Sequence, residues 1–121
     1  MIDHVGLNVR DREALKAFYR EALAPLGYEV GLEVEVHVGF RSPEGELDFW
    51  ISERGEPSPG HVGFRARDRG AVDAFYKAAL GAGGADNGPP GVRAEYHENY
   101  YAAYVLDPER NNIEAVCQAP A

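Results

Sequence analysis

The chain has 121 residues, carries a formal net charge of −8 and contains one cysteine, Cys117. That length fits a single domain with a real core, and the acidic balance argues against a nucleic-acid or anionic-membrane partner, which would favour a basic surface. A lone cysteine excludes an internal disulfide framework. No signal-peptide pattern opens the chain and no apolar run approaches the roughly 18 residues of a membrane helix, so we expect a cytoplasmic protein.

The sequence contains an internal repeat, in which a 24-residue stretch that opens at His4 recurs at His61. The two stretches align without a gap at an offset of 57 residues, and 13 of the 24 aligned positions are identical. This identity predicts two copies of one structural unit, at about 1–53 and 60–118, within a single domain that spans 1–121. Residues 53–60 are polar and rich in proline and glycine, which is typical of a connector.

The first unit opens with alternating apolar and polar residues, which predict a strand at 2–9. Asp11 is a suitable N-cap, and apolar residues at helical spacing after it predict a helix that ends at Gly27. A turn at 42–45 separates the last two of three short predicted strands, which are placed at 28–34, 35–41 and 46–52. The predicted order is β-α-β-β-β.

The second unit repeats this order. A strand is predicted at 61–66, and Asp68 caps a helix that runs to about residue 82. A loop rich in glycine and proline follows at 81–91, and the remaining predicted strands lie at 92–96, 100–106 and 112–117. The expected fold is α+β, with the two units forming a curved, partly open mixed sheet that has its helices on the outside and a concave inner face.

The two aligned histidines lie on the predicted first strands, opposite the apolar residues. If the apolar side meets the helices, His4 and His61 both face the concave side. Glu114 is an acid in a mostly apolar last strand, and a buried carboxylate is costly unless it is paired or binds a metal. Two histidines and one carboxylate, with positions left open for substrate, suit a divalent ion such as Fe, Mn, Ni or Zn. We therefore predict a metal site at these three residues.

Three segments carry a family resemblance: DHVGLNVRD at 3–11, GHVGFRARD at 60–68 and YVLDPERNNIEAV at 104–116. With the duplicated β-α-β-β-β order, they resemble the vicinal oxygen chelate superfamily, which includes glyoxalase I, bleomycin-resistance proteins and extradiol dioxygenases. The resemblance implies metal ligands on the first and last strands, at the positions of His4, His61 and Glu114. It also implies a small-molecule substrate that chelates the metal through oxygen atoms, and a homodimer.

The resemblance implies a fourth ligand position in the first unit. Aligning 47–51 with 111–115 puts Trp50 there, and an indole cannot bind a metal. This departure argues against a lactoylglutathione lyase, whose family carries a carboxylate or glutamine at that position. A slip of the strand register would instead present Asp48, which lies two residues away on the same strand face.

Candidates for proton transfer and substrate binding come from the second unit and from Trp50. Tyr104 lies ten residues before Glu114, where the resembled enzymes place a substrate-contacting or acid/base tyrosine. His97 is a second candidate for proton transfer, on the approach to the same strand. Trp50 and Tyr100 are the candidates for substrate binding.

Two functions of different class remain open, besides a purely structural role. The first is a glyoxalase- or dioxygenase-like metalloenzyme that acts on a small organic substrate. The second is a metal-independent protein that sequesters a drug, as bleomycin-resistance proteins do. For the second function, an apolar pocket would be lined by Trp50, Phe40, Phe49, Tyr100 and Tyr101, and the acidic balance would favour a cationic ligand.

Overall fold

The duplication is visible in the topology of the computed structural model, which describes residues 1–121. The two helices are α1 (Arg12–Leu23) and α2 (Arg69–Gly81), and a short 3-10 turn at Ala24–Leu26 follows the first. The nine strands are β1 (Val5–Val9), β2 (Glu29–Val34), β3 (His37–Arg41), β4 (Leu47–Glu53), β5 (His61–Arg65), β6 (Ala85–Asp86), β7 (Gly91–Val92), β8 (Tyr101–Leu106) and β9 (Asn112–Cys117).

The strands form two separate mixed sheets. The first has the order β1-β4-β3-β2, and the second has the order β5-β9-β8-β6 with β7 also paired to β8. In each unit the first strand pairs in parallel with the last, β1 with β4 and β5 with β9. Each helix packs on the buried face of its own sheet, and the helices also touch each other. The two helices packed on mixed sheets confirm the predicted α+β class, and both sheets are open.

Neither helix combines the length and the apolar composition that a membrane crossing requires.

Both helices begin where the sequence predicts. The Asp11 carboxylate accepts a hydrogen bond from the backbone N–H of Ala14, and Asp68 accepts one from Ala71 in the same way. Gly27 ends the 3-10 turn with φ of 88°, a left-handed conformation that favours glycine. The repeated Arg-Asp-Arg sequence therefore sets the start of both helices locally, before any packing is considered.

The prediction of a strand at 92–96 is wrong. The edge of the second sheet is formed earlier, by β6 and β7, which pair with opposite ends of β8. Pro89 and Pro90 between them lack a backbone N–H, so the edge is broken into two short pieces. After Val92 the chain turns, and the predicted loop at 81–91 contains most of this edge.

One apolar core of 23 buried residues spans both units. Phe49 of the first sheet meets Phe64 of the second edge to face, with 5.1 Å between ring centroids. Tyr19 of α1 packs on Phe49 at 5.0 Å. Phe40 and Phe49 are 0% and 1% exposed, so their prediction as pocket-lining residues is wrong. They point to the helix side of the sheet, away from its open face.

A buried hydrogen bond links α1 of the first unit to the β8–β9 turn of the second. The Tyr19 hydroxyl donates to Oδ2 of Asp107, and the two residues are 0% and 3% exposed. Burial, and then the Asp107 carboxylate, raise the pKa of Tyr19 well above its ordinary value, so the phenol remains a donor. Asn111 donates to the same carboxylate oxygen at 2.8 Å.

The β8–β9 turn also holds the chain segments that precede α1 and β5. The Glu109 carboxylate accepts the backbone N–H groups of Arg10 and Asp11 at 2.7 to 3.0 Å. The Asn111 side chain accepts the N–H of Gly60 at 2.8 Å, and the carbonyl of Gly60 accepts Asn112 N–H at 2.8 Å. The start of β5 is thereby fixed beside the start of β9.

Replacing Tyr19 with Phe removes the hydroxyl and keeps the ring. We expect Tyr19→Phe to lower the free energy of unfolding by about 1–3 kcal/mol, because a buried carboxylate loses a donor. Denaturant titration followed by circular dichroism measures the loss. In the control Tyr76→Phe, the lost hydrogen bond to Asp86 is exposed, so the change should stay within about 0.5 kcal/mol. Equal losses in both variants would contradict the role given to Tyr19.

Candidate functional site

Glu114 is a buried carboxylate on the open face of the second sheet. Its residue exposure is 4%, although it lies in β9 on the side away from the helix. Strand pairing places it between Gly63 of β5 and Tyr104 of β8. A Cβ at Gly63 would lie 3.5 Å from Oε1, so the carboxylate rests over the glycine backbone. The sheet thus holds one buried acidic group at a defined place on its open face.

The two oxygens of Glu114 have different partners. His61 Nε2 lies 3.0 Å from Oε1, and the Tyr100 hydroxyl donates to Oε2. The His61 side chain is 53% exposed while that of Glu114 is 5% exposed. The pair is therefore buried at the carboxylate and open to solvent at the imidazole, so a metal ion or a substrate can approach from the imidazole side.

Tyr104 and Tyr100 flank the carboxylate as neutral phenols. Burial, and then the Glu114 carboxylate, raise the pKa of both hydroxyls above their ordinary value. The Tyr104 ring lies 6.5 Å from the His61 ring between centroids, and the guanidinium of Arg93 lies over the Tyr104 ring at 5.3 Å. Both hydroxyls are protonated at neutral pH, and that of Tyr100 already donates to Glu114 Oε2, whereas that of Tyr104 can donate to a group near Glu114.

His97 lies in the exposed turn before β8. Its Nδ1 accepts the backbone N–H of Asn99 at 3.0 Å, and its carbonyl accepts the N–H of Tyr100 at 3.1 Å. These bonds shape the turn that presents Tyr100. A role for His97 in proton transfer stays a prediction.

His4 does not join His61 and Glu114. It precedes β1, which begins at Val5, and its Nδ1 lies 2.7 Å from the neighbouring Asp3 carboxylate. No group of three histidine, cysteine, aspartate or glutamate side chains in the chain lies close enough together to hold a metal ion. A single chain thus brings together two of the three predicted ligands.

Trp50 occupies the place in the first sheet that Glu114 occupies in the second. It pairs with Gly6, as Glu114 pairs with Gly63 in the repeat, which confirms the alignment made from the sequence. Asp48 is the extra residue of a β-bulge in β4, and it accepts the Tyr28 hydroxyl at 2.8 Å. The bulge leaves Trp50 in register, so Asp48 does not replace it.

The indole of Trp50 lies flat on the backbone of Gly39. A Cβ at Gly39 would sit 2.8 to 2.9 Å from three consecutive atoms of the six-membered ring, a pattern that occurs above a ring face and not beyond its edge. The indole N–H donates to the carbonyl of Leu47 at 3.1 Å. The ring is thereby held against the sheet, and Trp50 is only partly buried.

Two further aromatic residues differ in their placement. Tyr101 does not line the open face, because its hydroxyl donates to Asp73 of α2 at 2.6 Å, which corrects its prediction as a pocket residue. Tyr100 does face Glu114, but its direct bond to the carboxylate was not predicted. No periodic pattern signals that bond, because Tyr100 lies in a turn. The stacking of Arg93 on Tyr104 was missed for the same reason.

The sequence and the fold match known proteins. Residues 1–115 match the model of the Glyoxalase/Bleomycin resistance protein/Dioxygenase superfamily. A glyoxalase/bleomycin resistance protein from Albidiferax ferrireducens is similar, with 32% identity, a TM-score of 0.83 and coverage of 96% of this chain and 97% of that chain. A comparison with curated proteins found no match to the sequence.

Two more distant solved structures share the fold alone. A glyoxalase/bleomycin resistance protein/dioxygenase family enzyme from Burkholderia phytofirmans has 20% identity and a TM-score of 0.76, over 98% of both chains. A lactoylglutathione lyase from Agrobacterium tumefaciens has 20% identity and a TM-score of 0.73, over 97% of this chain and 92% of that one.

The contact between Trp50 and Gly39 predicts the effect of one methyl group. Gly39→Ala should displace the indole, shift its fluorescence and lower the free energy of unfolding by about 1–3 kcal/mol. Trp50 is the only tryptophan, so the emission reports on this ring alone. Gly81→Ala is the control, since nothing lies within 4 Å of its Cβ position, and alanine there should stabilise α2 by up to about 1 kcal/mol. Unchanged emission in Gly39→Ala would contradict the flat packing.

Proposed function

Because the chain belongs to the glyoxalase/bleomycin resistance protein/dioxygenase superfamily, we propose that it is a cytoplasmic metalloenzyme that acts on a small organic substrate with two neighbouring oxygen atoms. The observation that carries this proposal is the buried Glu114 carboxylate, whose Oε1 lies 3.0 Å from His61 Nε2. An imidazole and a carboxylate that converge in this way are a common donor pair for Fe, Mn, Ni and Zn.

The residues present fit such an ion in part. His61 Nε2 and Glu114 Oε1 would hold it, and the exposed side of His61 would leave room for the substrate. Trp50 stands where a fourth ligand would be, so the protein offers at most three ligands in this pattern. That count favours reactions in which the substrate supplies oxygen ligands of its own, and it argues against a four-ligand glyoxalase site.

The third ligand of the proposal is His4 of a second copy of the chain. His4 is exposed directly before β1, and the outer edges of β1 and β5 pair with no other strand. Leu32, Val34 and Val36, on and beside β2, are also exposed, at 44%, 43% and 37%. Open strand edges and clustered apolar side chains are surfaces that a homodimer commonly covers. This arrangement explains how three ligands can meet although one chain assembles only two.

Tyr104 is the proposed proton donor. A bound divalent ion would act as a Lewis acid on the substrate oxygens. The Tyr104 phenol, whose pKa burial and Glu114 raise further above neutral pH, would donate a hydrogen bond or a proton to an oxygen that gains charge. His97 is a second candidate that would have to release Asn99 first. Trp50 and Tyr100 would contact the bound substrate.

Metal-independent binding of a drug-like molecule is the second candidate. It is favoured by the fact that Glu114 already has partners on both oxygens within the chain. It is also favoured by the flat, fixed indole of Trp50, which offers a face for stacking. The acidic net charge of −8 would suit a cationic ligand.

Metal analysis separates the two candidates. Protein purified without chelators should contain stoichiometric divalent metal, and His61→Ala and Glu114→Gln should lose it, because each removes a proposed ligand. The matched controls are His37→Ala and Glu33→Gln, which change the same residue types outside the site and should keep the metal. Plasma emission spectrometry and calorimetry measure content and affinity. Metal-free protein whose tryptophan fluorescence is quenched by a bleomycin-like compound in the presence of a chelator would support the binding protein instead.

Mixing inactive variants tests the shared site. A heterodimer of His4→Ala and His61→Ala chains contains one intact set of ligands, so an equilibrated mixture should regain about a quarter of the wild-type sites. A mixture of His61→Ala and Glu114→Gln should regain none, because both changes fall in the same half of the site. Metal binding after dissociation and reassociation is the measurement. Failure of the first mixture, or equal recovery in both, would contradict a site formed between two copies.

A further inference from the structure

Tyr100 and His61 divide the two oxygens of Glu114 between them. His61 Nε2 faces Oε1 at 3.0 Å, and the Tyr100 hydroxyl donates to Oε2. An ion that enters between His61 and Oε1 would therefore leave the bond from Tyr100 untouched.

Several contacts hold Tyr100 in this place. Its carbonyl accepts the N–H of Arg93 at 2.7 Å, and its N–H donates to the carbonyl of His97 at 3.1 Å, which closes the turn before β8. Its ring packs edge to face on Tyr96, with 5.2 Å between centroids. The hydroxyl is presented to Glu114 by a turn whose own backbone bonds are satisfied, and not by a loose surface side chain.

We infer that Tyr100 is a positioning residue. Its hydrogen bond keeps Oε2 occupied, so that Glu114 binds the metal through Oε1 alone. The inference rests on the proposed function. A carboxylate that used both oxygens would occupy two coordination positions, and one of these would be lost to the substrate. A hydrogen bond to the second oxygen prevents this and fixes the plane of the carboxylate.

In the alternative, the Tyr100 hydroxyl bonds Oε2 only while no metal is bound. In that case the metal would displace the hydroxyl from Oε2, and removing the hydroxyl would make binding tighter. The two behaviours predict changes of opposite sign for the same variant.

Cobalt(II) binding by Tyr100→Phe tests the inference without reference to activity. We expect the affinity for Co²⁺ to fall by about 10- to 100-fold, as for the loss of other partners of metal ligands. The visible spectrum should also change, because a second carboxylate oxygen becomes available. Tyr101→Phe is the matched control: its hydroxyl binds Asp73 on the helix side, so it should keep the wild-type affinity and spectrum.

A second measurement needs no change at Tyr100. Infrared difference spectra of the wild type, with and without Co²⁺, report the separation of the two carboxylate stretching bands, and labelling glutamate with ¹³C at the side-chain carboxyl identifies the bands of the glutamate ligand. A wide separation, typical of binding through one oxygen, is the expected result. A narrow separation, typical of both oxygens, would overturn the inference even if Tyr100→Phe failed to fold.

The outcomes distinguish the two levels of the proposal. Wild-type protein that binds no Co²⁺ would overturn the proposed metal site and, with it, the role of Tyr100. Wild-type binding with equal or tighter binding by Tyr100→Phe would overturn the role of Tyr100 and leave the metal site standing.

Discussion

The β8–β9 turn is the constraint on which the candidate site depends. Asp107 in this turn accepts the buried hydroxyl of Tyr19, and Asn111 holds Gly60, the residue directly before His61. Strand β9 starts at the end of the same turn, so the positions of His61 and Glu114 are both set from it. The 3.0 Å approach of these two side chains is thus a consequence of a hydrogen-bonded turn that also joins the two units.

The two repeated units carry different side chains at equivalent strand positions. In the second sheet the outward position opposite glycine holds Glu114, and in the first sheet it holds Trp50. A buried carboxylate is tolerable only where donors surround it, and His61 and Tyr100 provide them in the second unit alone. The first unit instead offers a glycine surface at Gly39 on which an indole can lie. The open face of the second unit therefore carries a carboxylate where that of the first carries an indole.

Tyrosine hydroxyls supply many of the hydrogen bonds that carboxylates accept in this protein. The chain has 20 acidic and only 12 basic residues besides histidine. Five of its seven tyrosines donate to carboxylates, and they are Tyr19, Tyr28, Tyr76, Tyr100 and Tyr101. A neutral donor satisfies a carboxylate and leaves its negative charge in place. This leaves the charge of Glu114 available to a metal ion or a cationic ligand.

By itself, the sequence determined the repeat, the starts of both helices, most strands and the pairing of His61 with Glu114. The repeat, the helix starts and the strands follow from local periodicity and N-cap residues, and His61 meets Glu114 because the first and last strands of one unit pair in parallel. The tertiary structure alone decided that Tyr100 bonds Glu114, that Asp48 forms a bulge and that His4 stands apart. Those outcomes depend on where a turn points, how a ladder accommodates an extra residue and how the two sheets are placed relative to each other. No periodic pattern records them, because each depends on side-chain contacts or strand pairing that the alternation of apolar and polar residues does not specify.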